Sequence, residues 1–317
     1  MYYIGVDLGG TNIAAGIVTE KGEIIRKKSI PTLRQRHYKE ILKDMGNLCL
    51  TLIEEENISI KEIHSIGVGS PGTFDPEEGV LIYANNLGFK NVPIRSEIQK
   101  YINLPVYLEN DANCAALGEA TSGAAKEYKN SITVTLGTGI GGGIVIDGKI
   151  FSGSFYGGGE IGHNVIVVDG EPCTCGRKGC WEVYGSATAL IREAKIAAIK
   201  HPESQIYSLV NGDLNKINAK IPFDAAQNGD EIAQEVVNRY IKYVAEGITS
   251  MVNILQPEVV VIGGGVCAQG DYLLNPIKKF VKENAYGLKP SKVEVRIAEL
   301  GNDAGIIGAA MLGKMEK

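Results

Sequence analysis

The chain has 317 residues, 44% of them hydrophobic and 22% charged, which is typical of a globular protein with two domains or one large one. Its formal net charge of −5, with no run of lysine and arginine longer than Arg26-Lys27-Lys28, argues against nucleic acid or an anionic membrane as a partner. No apolar stretch approaches the ~18 residues of a membrane span, and no basic segment leads into a long apolar run at the amino terminus, so we expect small-molecule partners and a cytoplasmic protein.

A glycine turn follows the first predicted strand. Tyr3 to Val6 is a short apolar run that leads into Asp7-Leu8-Gly9-Gly10-Thr11, and strand character resumes from Ile13 to Val18. Glycines let backbone N–H groups and the Thr11 hydroxyl approach a phosphate, and Asp7 at the strand end is suited to hold Mg²⁺ through water. Taken alone, such a turn is more often an ordinary hairpin.

The region between residues 38 and 104 is predicted to be mainly scaffold. Apolar residues recur at helical spacing from Tyr38 to Glu56, which predicts a helix covering the core. Ile66 to Gly69 is typical of a buried strand, and the proline and glycine that follow turn the chain close to the strand's end. Asn85 and Asn86 are suited to bind sugar hydroxyls, although paired asparagines more often form turns.

An acid stands at the next junction between a strand and a helix. Pro105 to Glu109 is predicted as a strand, and a run of helix formers begins at Ala112, directly after Asn110 and Asp111. Asp111 is either the N-cap of that helix or a general base for a hydroxyl group. We favour the base, because the duplication described next places this residue near both candidate phosphate loops.

The hairpin with a glycine turn occurs a second time. Ile132 to Leu136 is rich in β-formers, Gly137-Thr138-Gly139 follows, and a further strand ends at Ile146. A duplicated unit implies two similar domains that face each other across a cleft, each offering a phosphate loop. No glycine-rich loop ends in Gly-Lys-Ser/Thr, which excludes a P-loop, and no glycine fingerprint leads directly from strand to helix at the amino terminus, which weakens a dinucleotide-binding hypothesis.

Four potential metal ligands are concentrated in the segment 157–182. Cys173, Cys175 and Cys180 lie close together, with His163 upstream across a run, Asn164 to Val168, that is predicted to form a strand and turn back. One histidine and three cysteines are the closed ligand set of structural Zn²⁺, and cysteines two positions apart cannot easily form a disulfide with each other. The alternative is a loop with incidental thiols. A closed site leaves no place for a catalytic water, so the metal is expected to act as a clamp.

Two glutamates flank this predicted metal loop. Glu160 precedes His163 by three residues and Glu182 follows Cys180 by two. An ionised carboxylate accepts hydrogen bonds only, so two carboxylates held towards one place suit a ligand rich in hydroxyl groups. Either glutamate alone is more often a solvated surface charge, but the flanking metal ligands favour a binding role for the pair.

The remaining pattern is helical scaffold interrupted by one glycine cluster. Ala187 to Lys200 and Asp230 to Leu255 are predicted helices. Glu258 to Ile262, which is continuously apolar from Val259 onwards, is predicted as a strand buried on both faces and leads into Gly263-Gly264-Gly265. We assign the nucleoside end of a nucleotide to these glycines, with a plain tight turn as the alternative. A capped, glycine- and alanine-rich helix is predicted to close the chain after Asn302-Asp303.

Together these motifs resemble the ROK family of sugar kinases, in particular its bacterial glucokinases. The resemblance spans essentially the whole chain and is carried by Asp7 to Thr11, Glu109 to Asn113, Leu136 to Gly143, and the histidine and cysteine motifs between Gly159 and Cys180. It implies an α/β fold of the two-lobed, actin-like (ribonuclease H-like) ATPase class with duplicated domains and a central cleft. The expected lobes are residues 1–117, completed by a helix at 302–317, and a larger lobe at 118–301 with the zinc-binding loop.

The resemblance also implies a role for each candidate residue. Asp111 is implied as the catalytic base. The implied hexose contacts are Gly69, Asn86, Asn110, Asp111, Glu160, His163 and Glu182. The implied nucleotide-binding residues are Asp7, Gly9, Gly10, Thr11, Asn12, Gly137, Thr138, Gly139, Gly263, Gly264 and Gly265. The implied zinc ligands are His163, Cys173, Cys175 and Cys180. Position 12, often lysine in relatives, is asparagine here, which leaves the backbone and Thr11 to contact phosphate.

The implied reaction is transfer of the γ-phosphoryl group of ATP, with Mg²⁺, to the 6-hydroxyl of glucose, a step of carbohydrate metabolism and glycolysis. The sequence leaves the hexose open, with fructose, mannose, N-acetylmannosamine and N-acetylglucosamine as alternatives, and it leaves polyphosphate or another nucleotide open as donor. A sugar-responsive repressor of the same family is disfavoured, because such regulators carry an amino-terminal helix-turn-helix whereas this chain reaches its first strand by Tyr3. The resemblance suggests a homo-oligomer, either a dimer or a tetramer.

Overall fold

The computed structural model describes residues 1–287 and 292–315, which form an α/β protein. The strands are β1 (Tyr2–Leu8), β2 (Asn12–Thr19), β3 (Ile24–Pro31), β4 (Ile63–Ser70), β5 (Thr73–Asp75), β6 (Val80–Ala84), β7 (Phe89–Val92), β8 (Val106–Asn110), β9 (Ser131–Leu136), β10 (Ile140–Ile146), β11 (Lys149–Ile150), β12 (Val259–Gly263) and β13 (Glu294–Ile297). The helices are α1 (Tyr38–Glu55), α2 (Ile94–Ile98), α3 (Asp111–Ser122), α4 (Glu182–Gly185), α5 (Ala187–Lys200), α6 (Gln205–Ser208), α7 (Ile221–Gln227), α8 (Glu231–Leu255), α9 (Asp271–Asn284) and α10 (Asp303–Met315).

Contacts divide the chain into two compact units. The first unit contains residues 1–133, 143–159 and 298–317, and the second contains residues 134–142 and 160–297. The lobe boundaries at 117/118 and 301/302 stay a prediction. The last two residues of the predicted closing helix lie outside the described part of the chain.

The first unit is built on a sheet with the strand order β3-β2-β1-β4-β8. The antiparallel strands β1, β2 and β3 follow one another, whereas β4 and β8 are parallel to β1. The register pairs Asp7 with Gly69 and Gly69 with Glu109. The carboxyl ends of three neighbouring parallel strands therefore lie at one edge of this sheet. A separate antiparallel sheet, β5-β6-β7, is also present.

Helices cover this sheet on both faces, as alternation along β1 requires. Ile4, Val6 and Leu8 belong to one apolar cluster with α1, whereas Tyr3 belongs to another with α10. The approach of α10 is close, because a Cβ on Gly5 would lie 1.8 Å from the carbonyl oxygen of Ile306. Glycine at this position of β1 thus lets helix and strand backbones touch.

The second unit contains the long helix α8 and the buried strand β12, as predicted. Asp230 caps α8 by accepting a hydrogen bond of 2.8 Å from the N–H of Ala233, and Gln256 ends it in the left-handed conformation. All five residues of β12 are buried, and β12 pairs with β13 in parallel. The second five-stranded sheet has the order β11-β10-β9-β12-β13.

One predicted strand was wrong. Asn164 to Val168 forms an irregular segment with a single bridge between Val165 and Cys180. Its backbone makes hydrogen bonds to the loop that carries the three cysteines instead of to a strand. Ile166 N–H and Val167 N–H both donate to the carbonyl of Gly179. Among the described residues, no helix has the length and apolar character needed to cross a membrane.

Candidate active site

Three candidate residues of the first unit converge at the carboxyl edge of its parallel strands. Asp7 pairs in register with Gly69 on the neighbouring strand, and Ser70 pairs with Asn110 on the next. Open α/β sheets bind ligands outside this edge. A Cβ on Gly69 would lie 2.9 Å from Cys114 Sγ and 3.8 Å from the Cα of Asp111, so Gly69 also lets the strand approach the start of α3.

Asn110, rather than Asp111, is the N-cap of α3. The Asn110 Oδ1 accepts hydrogen bonds from the N–H groups of Ala112 (2.8 Å) and Asn113 (3.3 Å). Asp111 is the first residue of the helix, and its Oδ1 accepts a bond of 2.9 Å from Ala112 N–H. The capping alternative considered for Asp111 is therefore fulfilled by its neighbour.

Two carboxyl groups of this edge have raised pKa values. Burial raises the pKa of Asp7 from 3.8 to about 6, and the negative charge of Asp111 adds to the effect. Burial likewise raises the pKa of Asp111, and the hydrogen bond from Ala112 N–H offsets only part of this rise. Two partly desolvated carboxylates that repel each other are a suitable environment for a hard divalent cation such as Mg²⁺.

Glu109 has a role in this region that the sequence pattern did not predict. Its Oε1 accepts from Asn110 N–H at 2.8 Å and from Asn113 Nδ2 at 3.0 Å, and its Oε2 accepts from Ser152 Oγ at 2.9 Å. One carboxylate thus holds the end of β8, the first turn of α3 and the segment that precedes Glu160. The available signal was its place directly before Asn110, although Ser152 could not have been identified from spacing.

The turn between β1 and β2 is a tight glycine loop. Gly9 N–H donates to the carbonyl of Asn12 at 3.0 Å, and Thr32 Oγ1 donates to the carbonyl of Gly9 at 2.6 Å. Thr11 and Asn12 are exposed at its tip. A Cβ on Gly10 would lie 3.2 Å from the backbone oxygen of Asn86, so the exposed candidate Asn86 stands beside this loop.

In the second unit, the four predicted metal ligands come together. The ligand atoms of His163, Cys173, Cys175 and Cys180 all lie within 4.8 Å of one another. Cys175 Sγ is 3.6 Å from Cys180 Sγ, and Cys173 Sγ is 3.7 Å from His163 Nδ1. A tetrahedral ion with metal–sulfur bonds of ~2.3 Å separates its ligand atoms by roughly 3.8 Å. The spacing and the donor types therefore fit Zn²⁺.

The glutamates that flank this cluster differ in exposure. Glu160 is exposed, whereas Glu182 is partly buried and accepts a hydrogen bond of 3.0 Å from Ile140 N–H. Trp181, between Cys180 and Glu182, is fully buried and donates from Nε1 to the carbonyl of Tyr243 at 2.9 Å. This tryptophan was not singled out from the sequence, although it is the only one in the chain. It anchors the end of the metal loop to α8.

Two of the three predicted phosphate and nucleoside loops are neighbours in the second unit. A Cβ on Gly264 would lie 2.3 Å from the carbonyl oxygen of Leu136, directly before Gly137. Gly137 N–H donates to the carbonyl of Gly139 at 3.0 Å, which closes a tight loop at the end of β9. The third predicted loop, Gly9 to Asn12, belongs to the first unit.

Comparison with known proteins identifies the family. The model of the ROK family matches residues 3–316. The chain belongs to the ROK family. A glucokinase of Halalkalibacterium halodurans is 39% identical over 317 residues, covering 100% of this chain and 96% of that protein. A glucokinase of Thermotoga maritima is 36% identical over 312 residues, covering 98% and 96% respectively.

A solved ROK structure extends the similarity to the fold. The ROK family glucokinase of Streptomyces griseus, crystallised with glucose and AMPPNP, superposes with a TM-score of 0.80 at 34% identity, covering 99% of this chain and 100% of that one. This ROK chain thus has the α/β fold of the actin-like ATPase class, and the predicted fold class is confirmed.

Proposed function

We propose that this chain is an ATP-dependent glucokinase, which transfers the γ-phosphoryl group to the 6-hydroxyl of glucose. The observation that carries the proposal is the convergence of Asp7, Gly69 and the Asn110-Asp111 pair at one strand edge, in a chain of this family. The glucokinases at 39% and 36% identity support glucose as the hexose. The AMPPNP in the Streptomyces griseus structure supports ATP as the donor.

Asp111 is the proposed general base. Asp111 is the first residue of α3, which fixes its backbone. Asn110, not Asp111, is the N-cap that accepts hydrogen bonds from the first N–H groups of the helix. Burial raises the pKa of Asp111, which strengthens it as a base. We propose that it accepts the proton of the 6-hydroxyl, and that Asn110, Asn86 and Gly69 help to orient the sugar.

The glycine loops are proposed to bind the nucleotide. Gly9, Gly10, Thr11 and Asn12 in the first unit, and Gly137, Thr138 and Gly139 in the second, offer backbone N–H groups and hydroxyls to phosphates, and Gly263 to Gly265 accommodate the nucleoside. Asp7 is the proposed Mg²⁺ residue. Bound Mg²⁺ supplies positive charge that offsets the phosphates during transfer.

The metal cluster is proposed to bind structural Zn²⁺ and to hold rigid the segment that carries Glu160, His163 and Glu182. His163 has Nδ1 towards Cys173, which leaves its Nε2 for a sugar hydroxyl. Glu160 and Glu182, on either side of the cluster, each provide a carboxylate for two hydroxyl donors. The ligand set is closed, so the metal contributes to binding by orienting these side chains rather than by activating water.

The deciding experiment measures ADP release by the purified protein with glucose, fructose, mannose, N-acetylmannosamine and N-acetylglucosamine. We expect the highest kcat/KM for glucose and a product with phosphate on the 6-oxygen by ³¹P NMR. Replacing ATP with polyphosphate or another nucleoside triphosphate defines the donor. A higher kcat/KM for another sugar would transfer the proposal to that hexose, and no ADP release with any sugar would overturn it.

The proposal includes a homo-oligomer, either a dimer or a tetramer, located in the cytoplasm. The family resemblance supports the oligomer. Multi-angle light scattering of the purified chain measures its mass against the 33.9 kDa of one copy. A mass of one copy at micromolar concentration would contradict the oligomer.

A further inference from the structure

The carboxylate of Glu182 is bound to the glycine-rich loop of the second unit as well as standing beside the metal cluster. Its Oε2 accepts a hydrogen bond of 3.0 Å from the N–H of Ile140, 42 residues earlier in the chain. Its Oε1 lies 4.0 Å from Cys173 Sγ. One carboxylate therefore contacts both the loop that we assign to phosphate and the cluster that we assign to zinc.

Gly139 leaves the space that this arrangement needs. A Cβ at this position would lie 2.1 Å from Glu182 Oε2 and 3.0 Å from its Cδ, closer than side chains approach one another. Gly139 is not among the glycines with a left-handed φ. The requirement is therefore for room beside the carboxylate, not for a backbone conformation that only glycine adopts.

Two more contacts hold the loop 137–140 against the segments that carry the proposed hexose contacts. A Cβ on Gly162, the residue before His163, would lie 2.2 Å from the carbonyl oxygen of Ile140. Ala187 N–H donates to the carbonyl of Gly137 at 2.9 Å. The loop 137–140 thus touches the segment that carries Glu160 and His163 as well as the one that carries Glu182.

We propose that Gly139 and the Ile140 N–H are positioning elements for the hexose, which act by fixing the Glu182 carboxylate. The glycine loop then sets hexose affinity even when no nucleotide is present. This inference rests on the proposed role of Glu182 as a hexose contact. Hydrogen bonds to a charged group contribute about 1.5–3 kcal/mol, so displacing the carboxylate should weaken glucose binding about tenfold or more.

The first test measures glucose binding by calorimetric titration in the absence of nucleotide. Gly139→Ala should raise the Kd for glucose at least about tenfold, because its methyl group displaces the carboxylate from Ile140 N–H.

A double-mutant cycle shows whether Gly139 acts through Glu182. In a Glu182→Ala background, where the overlap no longer exists, Gly139→Ala should change glucose binding little, so the two effects should not add. Hydrogen exchange of the Ile140 amide gives a second measurement that needs no Gly139 variant. Glu182→Ala should accelerate this exchange by removing the acceptor.

An unchanged glucose Kd in Gly139→Ala, additive effects in the cycle, or unchanged exchange at Ile140 would each overturn the inference. Failure of the proposed function looks different, since the wild type would then show no turnover with any hexose. The amide exchange of Ile140 can be measured in either case.

Discussion

The carboxyl group of Asp7 should destabilise the folded protein at neutral pH, so we expect Asp7→Asn to raise stability while lowering activity. Burial, reinforced by the charge of Asp111, raises the pKa of Asp7 from 3.8 to about 6. A raised pKa means that the folded state binds the proton more tightly than the unfolded state. The free-energy cost of ionising Asp7 in the folded protein is therefore absent well below pH 3.8. It grows between pH 3.8 and about 6 and is complete above that pH.

The size of this effect follows from the two pKa values. At 1.36 kcal/mol for each unit, a rise of about 2 units corresponds to roughly 3 kcal/mol at pH 8. Thermal unfolding of both proteins at pH 4 and pH 8 measures it. The advantage of Asp7→Asn over the wild type should be roughly 0.5 kcal/mol at pH 4 and up to about 3 kcal/mol at pH 8.

A control separates this local effect from the loss of one negative charge. Asp147→Asn removes an exposed aspartate from the same unit and should give no comparable pH-dependent gain. Asp111→Asn should lower the pKa of Asp7, since it removes the second cause of the shift. If the advantage of Asp7→Asn were the same at pH 4 and pH 8, the reasoning from burial and repulsion would be wrong.

Three further predictions concern the remaining groups. Asp111→Asn should keep the fold and glucose affinity but lower kcat about 10²–10⁴-fold, and unchanged turnover in the coupled assay would remove it as the base. Cys175→Ser should lose metal, measured by elemental analysis, together with glucose affinity, and zinc-free wild-type protein would contradict the metal assignment. Glu109→Ala should lower the melting temperature and kcat by leaving three donors without their acceptor, whereas Glu109→Gln should recover most of both, because its oxygen can keep two donors and Ser152 can turn its hydroxyl to accept.

Helices and strands with a clear pattern of apolar residues could be predicted from the sequence, whereas contacts between segments distant in the chain could not. The helical spacing of α1 and α8 and the continuous apolar run of β12 gave their positions closely. The strands β5 to β7 escaped prediction because each is short and bounded by turns. The segment Asn164 to Val168 has strand-forming residues, but its backbone bonds to the cysteine loop.

The candidate site shows the same division. The types and spacing of His163 and the three cysteines were sufficient to predict the cluster. Both Asn110 and Asp111 satisfied the rule for an N-cap, and only the geometry of α3 decided between them. The bonds of Glu109 to Ser152 and of Glu182 to Ile140 join residues 43 and 42 positions apart, so they depend on the folded chain.

The packing of α10 against β1 and β4 has a consequence for synthesis of the chain. These strands are among the first to be made, yet the helix that touches Gly5 begins only at Asp303. Domains generally fold in the order in which they leave the ribosome, but here the part of the earliest sheet against which α10 packs stays uncovered until translation is nearly finished. A nascent chain stalled before Asp303 would present that apolar face to chaperones, and completion of the last helix would release it.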